Sequence, residues 1–317
     1  MTTWKRRHIL DTDDWSREEI ETVLDQAKAM SEILSRPIRR APPLRGRTVI
    51  LFFAEASTRT RVSFELAAKA LSADVTNITA SGSSVEKGES LYDTVRTLQA
   101  LGGDIVVMRH SSSGAPYFVA ERTDAAVINA GDGWHAHPSQ GLLDALTLRE
   151  ALGDVAGKRV VIVGDILHSR VARSDIHTLV PLGARVTLSG PPTLVPSAWR
   201  CGQLPAGVDY EPDVDQALDG ADAAIVLRLQ RERQGSGLLP SLREYTRVWG
   251  IDAARVSRMR PRAPVMHPGP MNEGIEIDAA VAHGSRSLIE RQVTNGVAVR
   301  MALLYLLAST SPVEERV

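Results

Sequence analysis

At 317 residues the chain is long enough for two domains of ordinary size, each with its own core. Hydrophobic residues make up 43% and charged residues 24%, which excludes a disordered chain; the formal net charge of −1 excludes a global attraction to nucleic acid or an anionic membrane. The single cysteine, Cys201, excludes an internal disulfide and fits a reducing, cytoplasmic setting. Lys5, Arg6 and Arg7 are followed by the acidic residues Asp11, Asp13 and Asp14 and not by an apolar core, so no signal peptide is expected. The longest apolar runs, such as residues 49–54, are too short to cross a bilayer.

The first predicted element is a helix, opened by the capping box of Ser16 and Glu19 and continued by Ile20, Val23, Leu24 and Ala27 at helical spacing. Apolar runs then predict strands at residues 48–53, 74–78, 104–108 and 126–129, separated by helical patterns at 58–71, 90–101 and 138–152. Buried strands alternating with helices predict an α/β fold with a mainly parallel sheet flanked by helices. Gly153–Gly157 reads as a hinge that ends a first domain, residues 1–152. A second α/β series follows over 153–285, with strands at 159–163, 185–189, 223–227 and 264–266. A long helix from residue 286, apolar on more than one face, closes the chain, and 286–317 is assigned back to the first domain.

Sites in such folds lie at the carboxyl ends of strands. Ser57, Thr58, Arg59, Thr60 and Arg61 follow a strand and open a helix, with Ser57 as the expected cap, so hydroxyls, an arginine and helix N–H groups form a phosphate cradle. The same residues also read as a capped helix with solvated arginines. His137-Pro138-Ser139-Gln140 opens another helix after a Gly131–Gly133 turn, and its imidazole and amide suit a small carbonyl compound. Asp132, His135 and His137 resemble part of a zinc site, but no other cluster has ligand spacing. Arg109 ends a strand, Ser83 and Lys87 lie on a small-residue loop, and Arg228 and Gln230 close a later strand. Gly164-Asp165 resembles a dinucleotide turn, yet the second and third glycines of that motif are missing.

Taken in order, Ser-Thr-Arg-Thr-Arg, Lys-Gly-Glu, Met-Arg-His, His-Pro-x-Gln, Gly-Asp-x-x-x-x-Arg, Arg-x-Gln-x-Glu-Arg and His-Pro-x-Pro resemble the carbamoyltransferase family over essentially the whole chain. The match is to its aspartate-specific members. His267-Pro268-Gly269-Pro270 stands where ornithine-specific members typically carry a cysteine-containing turn. Gly269 departs from relatives that have a leucine there. The resemblance implies transfer of a carbamoyl group from carbamoyl phosphate to L-aspartate in de novo pyrimidine biosynthesis, with no metal or organic cofactor. It implies that Ser57, Thr58, Arg59, Thr60 and Arg109 hold the phosphate, and that Arg109, Thr60 and His137 contact the carbamoyl oxygen. Gln140 and the backbone carbonyls at Pro268 and Gly269 would hold the carbamoyl NH₂. Arg170, Arg228, Gln230 and Lys87 would bind aspartate, with Ser83 and Lys87 reaching in from a neighbouring subunit of a trimer. A regulatory chain and a dihydroorotase are the candidate partners of such a trimer. Three other readings are an ornithine-type acceptor, a noncatalytic subunit that kept the fold, and a nicotinamide-dependent oxidoreductase.

Overall fold

The computed structural model describes residues 4–79, 90–230 and 237–310. They form two compact units, Met1–Leu142 with Asn295–Val317, and Leu143–Thr294. Both cuts fall inside helices, and the first lies upstream of Gly153–Gly157. Gly153 and Gly157 have φ of +78° and +72°, so they serve the turn that enters the next strand.

The first unit contains α1 (Arg17–Leu34), β1 (Thr48–Phe53), α2 (Thr58–Ala70), β2 (Asp74–Thr79), α3 (Leu91–Ala100), β3 (Ile105–His110), α4 (Ala115–Ala120), β4 (Ala126–Asp132) and the start of α5 (Pro138–Leu152). Its four strands are all parallel, in the order β2-β1-β3-β4. The capping box forms as predicted: the Glu19 N–H donates to Ser16 Oγ at 3.3 Å, and the Ser16 N–H to Glu19 Oε2 at 2.9 Å. Ahead of α1, Ile9 pairs in parallel with Ile128, so the N-terminal segment lies along β4.

Two strands run further than their apolar residues suggest. β3 continues through Arg109 and His110, because Arg109 stays in register with Phe53, and β4 reaches Asp132, which is paired with His110 after a bulge. Ladder hydrogen bonds belong to the backbone, so polar side chains at a strand end do not stop them. The expected Gly131–Gly133 turn therefore begins only at Gly133, which has φ of +46°.

The second unit contains β5 (Arg159–Val163), α6 (Arg170–Leu179), β6 (Arg185–Ser189), α7 (Ser197–Arg200), β7 (Val208–Tyr210), α8 (Val214–Leu218), β8 (Ala223–Val226), α9 (Leu242–Trp249), α10 (Ala253–Arg258), β9 (Val265–Met266), α11 (Ala279–Ala282) and the start of α12 (Ile289–Thr310). These strands are also parallel, in the order β7-β6-β5-β8-β9. Val160, Val161, Ile162 and Val163 are fully buried, as expected of a central strand covered on both faces. The closing helix starts at Ile289, not 286, because the preceding residues pair with β9. The Val265 N–H donates to the Arg286 carbonyl at 2.8 Å and the Leu288 N–H to the Val265 carbonyl at 2.9 Å. From Asn295 onward α12 belongs to the first unit, where Arg300 Nη1 donates to Ser63 Oγ at 2.7 Å.

Candidate active site

In an open parallel sheet a crevice forms where the strand order reverses. In the first unit that point lies between β1 and β3. The two strand ends are tied together: the Ala54 N–H donates to the Arg109 carbonyl at 2.9 Å. The Arg109 side chain, 11% exposed, donates from Nη2 to Glu55 Oε1 at 2.6 Å and from Nη1 to the Ala130 carbonyl at 3.4 Å. Its guanidinium is thus held between the loop after β1 and the end of β4.

Ser57 does not cap α2 as expected. Its backbone is extended, with φ of −162°, and its side chain makes no capping hydrogen bond. The first N–H groups of any α-helix have no intrahelical acceptor, and here Ser57 does not occupy them. That leaves the helix start suited to an anion. Thr58 and Arg59 are exposed beside it, and Thr60 is buried. From β4 the chain turns to His137, whose carbonyl accepts the Gln140 N–H at 2.8 Å and the Gly141 N–H at 3.3 Å. Pro138 then fills the first helical position, where no N–H is needed. His137 and Gln140 are both buried.

The second sheet reverses between β5 and β8. Gly164, at φ +126°, leads the chain off β5, and a Cβ there would lie 3.0 Å from Tyr245 Oη and 3.2 Å from the Leu227 carbonyl. The next residue, Asp165, is fully buried. Its Oδ1 lies 2.7 Å from His168 Nδ1 and accepts the His168 N–H at 3.2 Å, while Oδ2 accepts the Gln230 N–H at 3.4 Å. One carboxylate therefore joins the loops after β5 and β8. Ser169 Oγ caps α6 by accepting the Ala172 N–H at 3.1 Å, and Arg170, buried, is the first helical residue. Arg173 steadies this turn by donating to the carbonyls of Ser169 and Leu167, each at 3.1 Å. Arg228 and Gln230 are half-buried on either side of the fully buried Leu229.

Beyond β9, His267 and Glu276 are both fully enclosed. His267 Nδ1 accepts the Gly269 N–H at 2.8 Å, so Nε2 carries the proton and donates to Glu276 Oε1 at 3.2 Å. Glu276 also accepts the Asn272 N–H at 2.6 Å and the Asn272 side-chain amide at 3.1 Å. The Pro268–Gly269 turn is held by these bonds, and Gly269 has φ of +66°.

Ser57–Thr60, Arg109, His137 and Gln140 thus lie at the carboxyl edge of the first sheet, and Arg170, Arg228, Gln230, Pro268 and Gly269 at that of the second. Ser83 and Lys87 fall outside the described residues. Reading the sequence missed the supporting carboxylates Glu55, Asp165 and Glu276; the one signal, an acid two residues beyond a strand end, is present for Glu55 and Asp165 and not for Glu276. The zinc-like fragment resolves differently, since His135 bonds to Asp132 and Asp11. Among the described residues no group of three or more His, Cys, Asp or Glu side chains is placed to hold a metal, and no helix is long and apolar enough to cross a membrane.

The family model for the carbamoyl-P binding domain of aspartate/ornithine carbamoyltransferases matches residues 7–150, and that for the Asp/Orn binding domain matches 156–307. The aspartate carbamoyltransferase catalytic subunit of Chloroflexus aggregans is 60% identical over 307 residues, 96% of this chain and 99% of that protein. Aspartate transcarbamoylase from Trypanosoma cruzi, in complex with N-(phosphonacetyl)-L-aspartic acid, is similar with a TM-score of 0.86 and 30% identity, over 96% of this chain and 97% of that one. Ornithine carbamoyltransferase from Pyrococcus furiosus has the same TM-score of 0.86 at 26% identity, over 98% and 100%.

Proposed function

The chain belongs to the aspartate/ornithine carbamoyltransferase family, and from that membership we propose that it transfers the carbamoyl group of carbamoyl phosphate to the amine of L-aspartate, giving N-carbamoyl-L-aspartate and phosphate. The observation that carries this reading is that each sheet bears arginines at its reversal point, Arg59 and Arg109 in one and Arg170 and Arg228 in the other. Both substrates are anions, and guanidinium groups match phosphate and carboxylate oxygens in pairs. Arginines in the second unit suit a dicarboxylate acceptor better than ornithine, which brings a second ammonium group. The 60% identity to a relative named for aspartate supports the same choice.

In this proposal residues 1–152 with the closing helix bind the donor, and 153–285 bind the acceptor. The cradle of Ser57, Thr58, Arg59 and Thr60, with Arg109, takes the phosphate. The deprotonated amine attacks the carbonyl carbon, and the carbonyl oxygen gains negative charge. Arg109, Thr60 and His137 donate to that oxygen, and Arg109 needs little reorganisation because Glu55 and Ala130 already orient it. Gln140 and the carbonyls of Pro268 and Gly269 accept from the carbamoyl NH₂. The tetrahedral adduct then expels phosphate, which leaves as the amine loses its proton. Arg170, Arg228 and Gln230 orient aspartate, and Ser83 and Lys87 act from a neighbouring chain of a homotrimer. The reaction would be a cytoplasmic step of pyrimidine synthesis, with a regulatory chain or dihydroorotase as optional partners. The test is a colorimetric assay for carbamoyl aspartate with the purified protein alone, run beside ornithine as acceptor. Product from ornithine but not from aspartate would reverse the assignment.

A further inference from the structure

The chemistry above leaves His135 unused, although it lies in the turn from β4 to α5, two residues before His137. Both of its ring nitrogens face carboxylates. Nδ1 is 3.1 Å from Asp132 Oδ2 and 3.3 Å from Oδ1, and Nε2 is 3.4 Å from Asp11 Oδ2. A neutral imidazole has one N–H, so it can serve only one of these partners and would turn a lone pair toward the other. The doubly protonated ring donates to both.

The two carboxylates come from separate parts of the first unit, and Asn129 helps to place both. Asp132, fully buried at the end of β4, also accepts Asn129 Nδ2 at 2.8 Å, the Ala136 N–H at 3.0 Å and the Gly114 N–H at 2.7 Å. Asp11 is placed by the N-terminal segment: the Ile9 N–H donates to the Val127 carbonyl, the Asn129 N–H to the Ile9 carbonyl, and Asn129 Nδ2 to the Leu10 carbonyl, each at 2.8 Å. The path from this cluster to the donor half-site is short. Asp132 and Ala136 bond to each other through the Asp132 N–H as well, at 3.1 Å, and Ala136 precedes His137.

We propose that His135, as an imidazolium clasped between Asp132 and Asp11, is a positioning residue for donor binding, holding the turn that presents His137 and Gln140 to carbamoyl phosphate. This rests on the donor assignment made above. The groups acting on the ring are the anions Asp132, Asp11 and Asp13; Tyr117 from α4 meets it edge-on at 5.8 Å, and His110 from β3 shares the field of Asp132. The hydrogen bond to Asp132 raises the pKa of His135 above the ordinary imidazole value, against the opposing effect of partial burial, and the remaining charge of Asp132, Asp11 and Asp13 adds to the rise. A raised folded value means that the clasp is complete at acid pH and is lost as pH climbs through that value. By reciprocity, a donor ligand that selects the clasped turn raises the His135 pKa further.

The test combines kinetics with histidine NMR on the full chain, using carbamoyl phosphate for turnover and a non-hydrolysable phosphonate analogue of it for binding. His135→Gln is neutral at every pH and can donate to one carboxylate only. Its KM for carbamoyl phosphate should exceed that of the wild type by about fivefold at pH 6.5, the lower end of usual coupling, and the two should converge by pH 9. The effect should fall on KM more than on kcat. In the wild type the His135 ring should titrate above the ordinary imidazole value, and the analogue should raise it again. Asp11→Asn keeps the ring but removes one anion, so its titration should move down. Carbamoyl aspartate formation by the wild type at pH 6.5 checks the activity itself, so a KM ratio flat with pH in an active enzyme counts against the clasp alone. An ordinary titration unmoved by Asp11→Asn or by the analogue would also overturn it, and that measurement holds even if the glutamine variant fails to fold.

Discussion

Truncating Arg228 or Gln230 to alanine removes donors from the second unit only, so the expected loss is in aspartate use. Arg59→Ala should instead damage handling of carbamoyl phosphate, and direct binding of that ligand is the cleaner measurement. Losing one transition-state donor such as Arg109 typically costs about 10²–10³ in rate. Equal defects toward both substrates in every variant would show the roles to be misassigned. A second test concerns support. Glu276→Ala leaves the buried Nε2–H of His267 and the Asn272 N–H without their acceptor, a cost of about 1–3 kcal/mol. Glu276→Gln keeps an acceptor oxygen, so it should melt nearer the wild type; equal losses would rule out these hydrogen bonds as the cause. The arginines proposed to face ligand stand out in the sequence because each sits at a strand end or helix start beside a short motif. The supporting carboxylates Glu55 and Asp165 do not, because their partners Arg109 and Gln230 are remote in the chain. Glu55 meets Arg109 54 residues later, and Asp165 meets Gln230 65 residues later.

At the scale of elements, helix starts with local signals were legible: the Ser16–Glu19 box fixes α1, and α5 runs over the predicted 138–152. The end of β3 was not, since Arg109 and His110 interrupt the apolar run while backbone pairing continues. Three-residue β7 and six-residue α4 are too short to show a period. Packing between elements was invisible too. Asp144 on α5 and Asp175 on α6 are both fully buried, and Asp144 Oδ1 accepts Gln292 Nε2 from α12 at 2.6 Å. Burial, and then the adjacent Asp144, push the Asp175 carboxyl well above the usual carboxylate range. Between the unfolded and the folded value the fold therefore holds a proton that the unfolded chain has released. Stability should then fall as pH rises from about 4, the unfolded value, toward the folded one, by up to roughly 1.4 kcal/mol per pH unit. Asp175→Asn offers a neutral donor without that proton. It should melt above the wild type at pH 8, with the gain shrinking toward pH 5. A gap that does not change with pH would mean that Asp175 is ionised in the fold.

For the whole molecule, the proposed trimer makes a prediction about subunits in combination. If Lys87 acts on a neighbour's substrate, Lys87→Ala and Arg59→Ala chains should complement each other when unfolded and refolded as an equal mixture. Random assembly of closed three-membered rings makes about three-quarters of them mixed, each with one intact site. Activity should return to roughly one quarter of the wild type. Mixed trimers, confirmed by mass, that stay as inactive as their parents would mean that Lys87 serves its own chain. A refolded double mutant controls for the procedure.

The pairing of Ile9 with Ile128 has a consequence for handling the protein. β4 ends its sheet, all seven of its residues are buried, and the short N-terminal segment covers its outer edge. A bare apolar edge strand is a template on which other chains assemble. Proteolytic nicking near Thr12 would therefore appear first as turbidity and creeping self-association, in a sample whose remaining dissolved molecules still turn over. Shelf life, measured by light scattering, is the property that this cover protects.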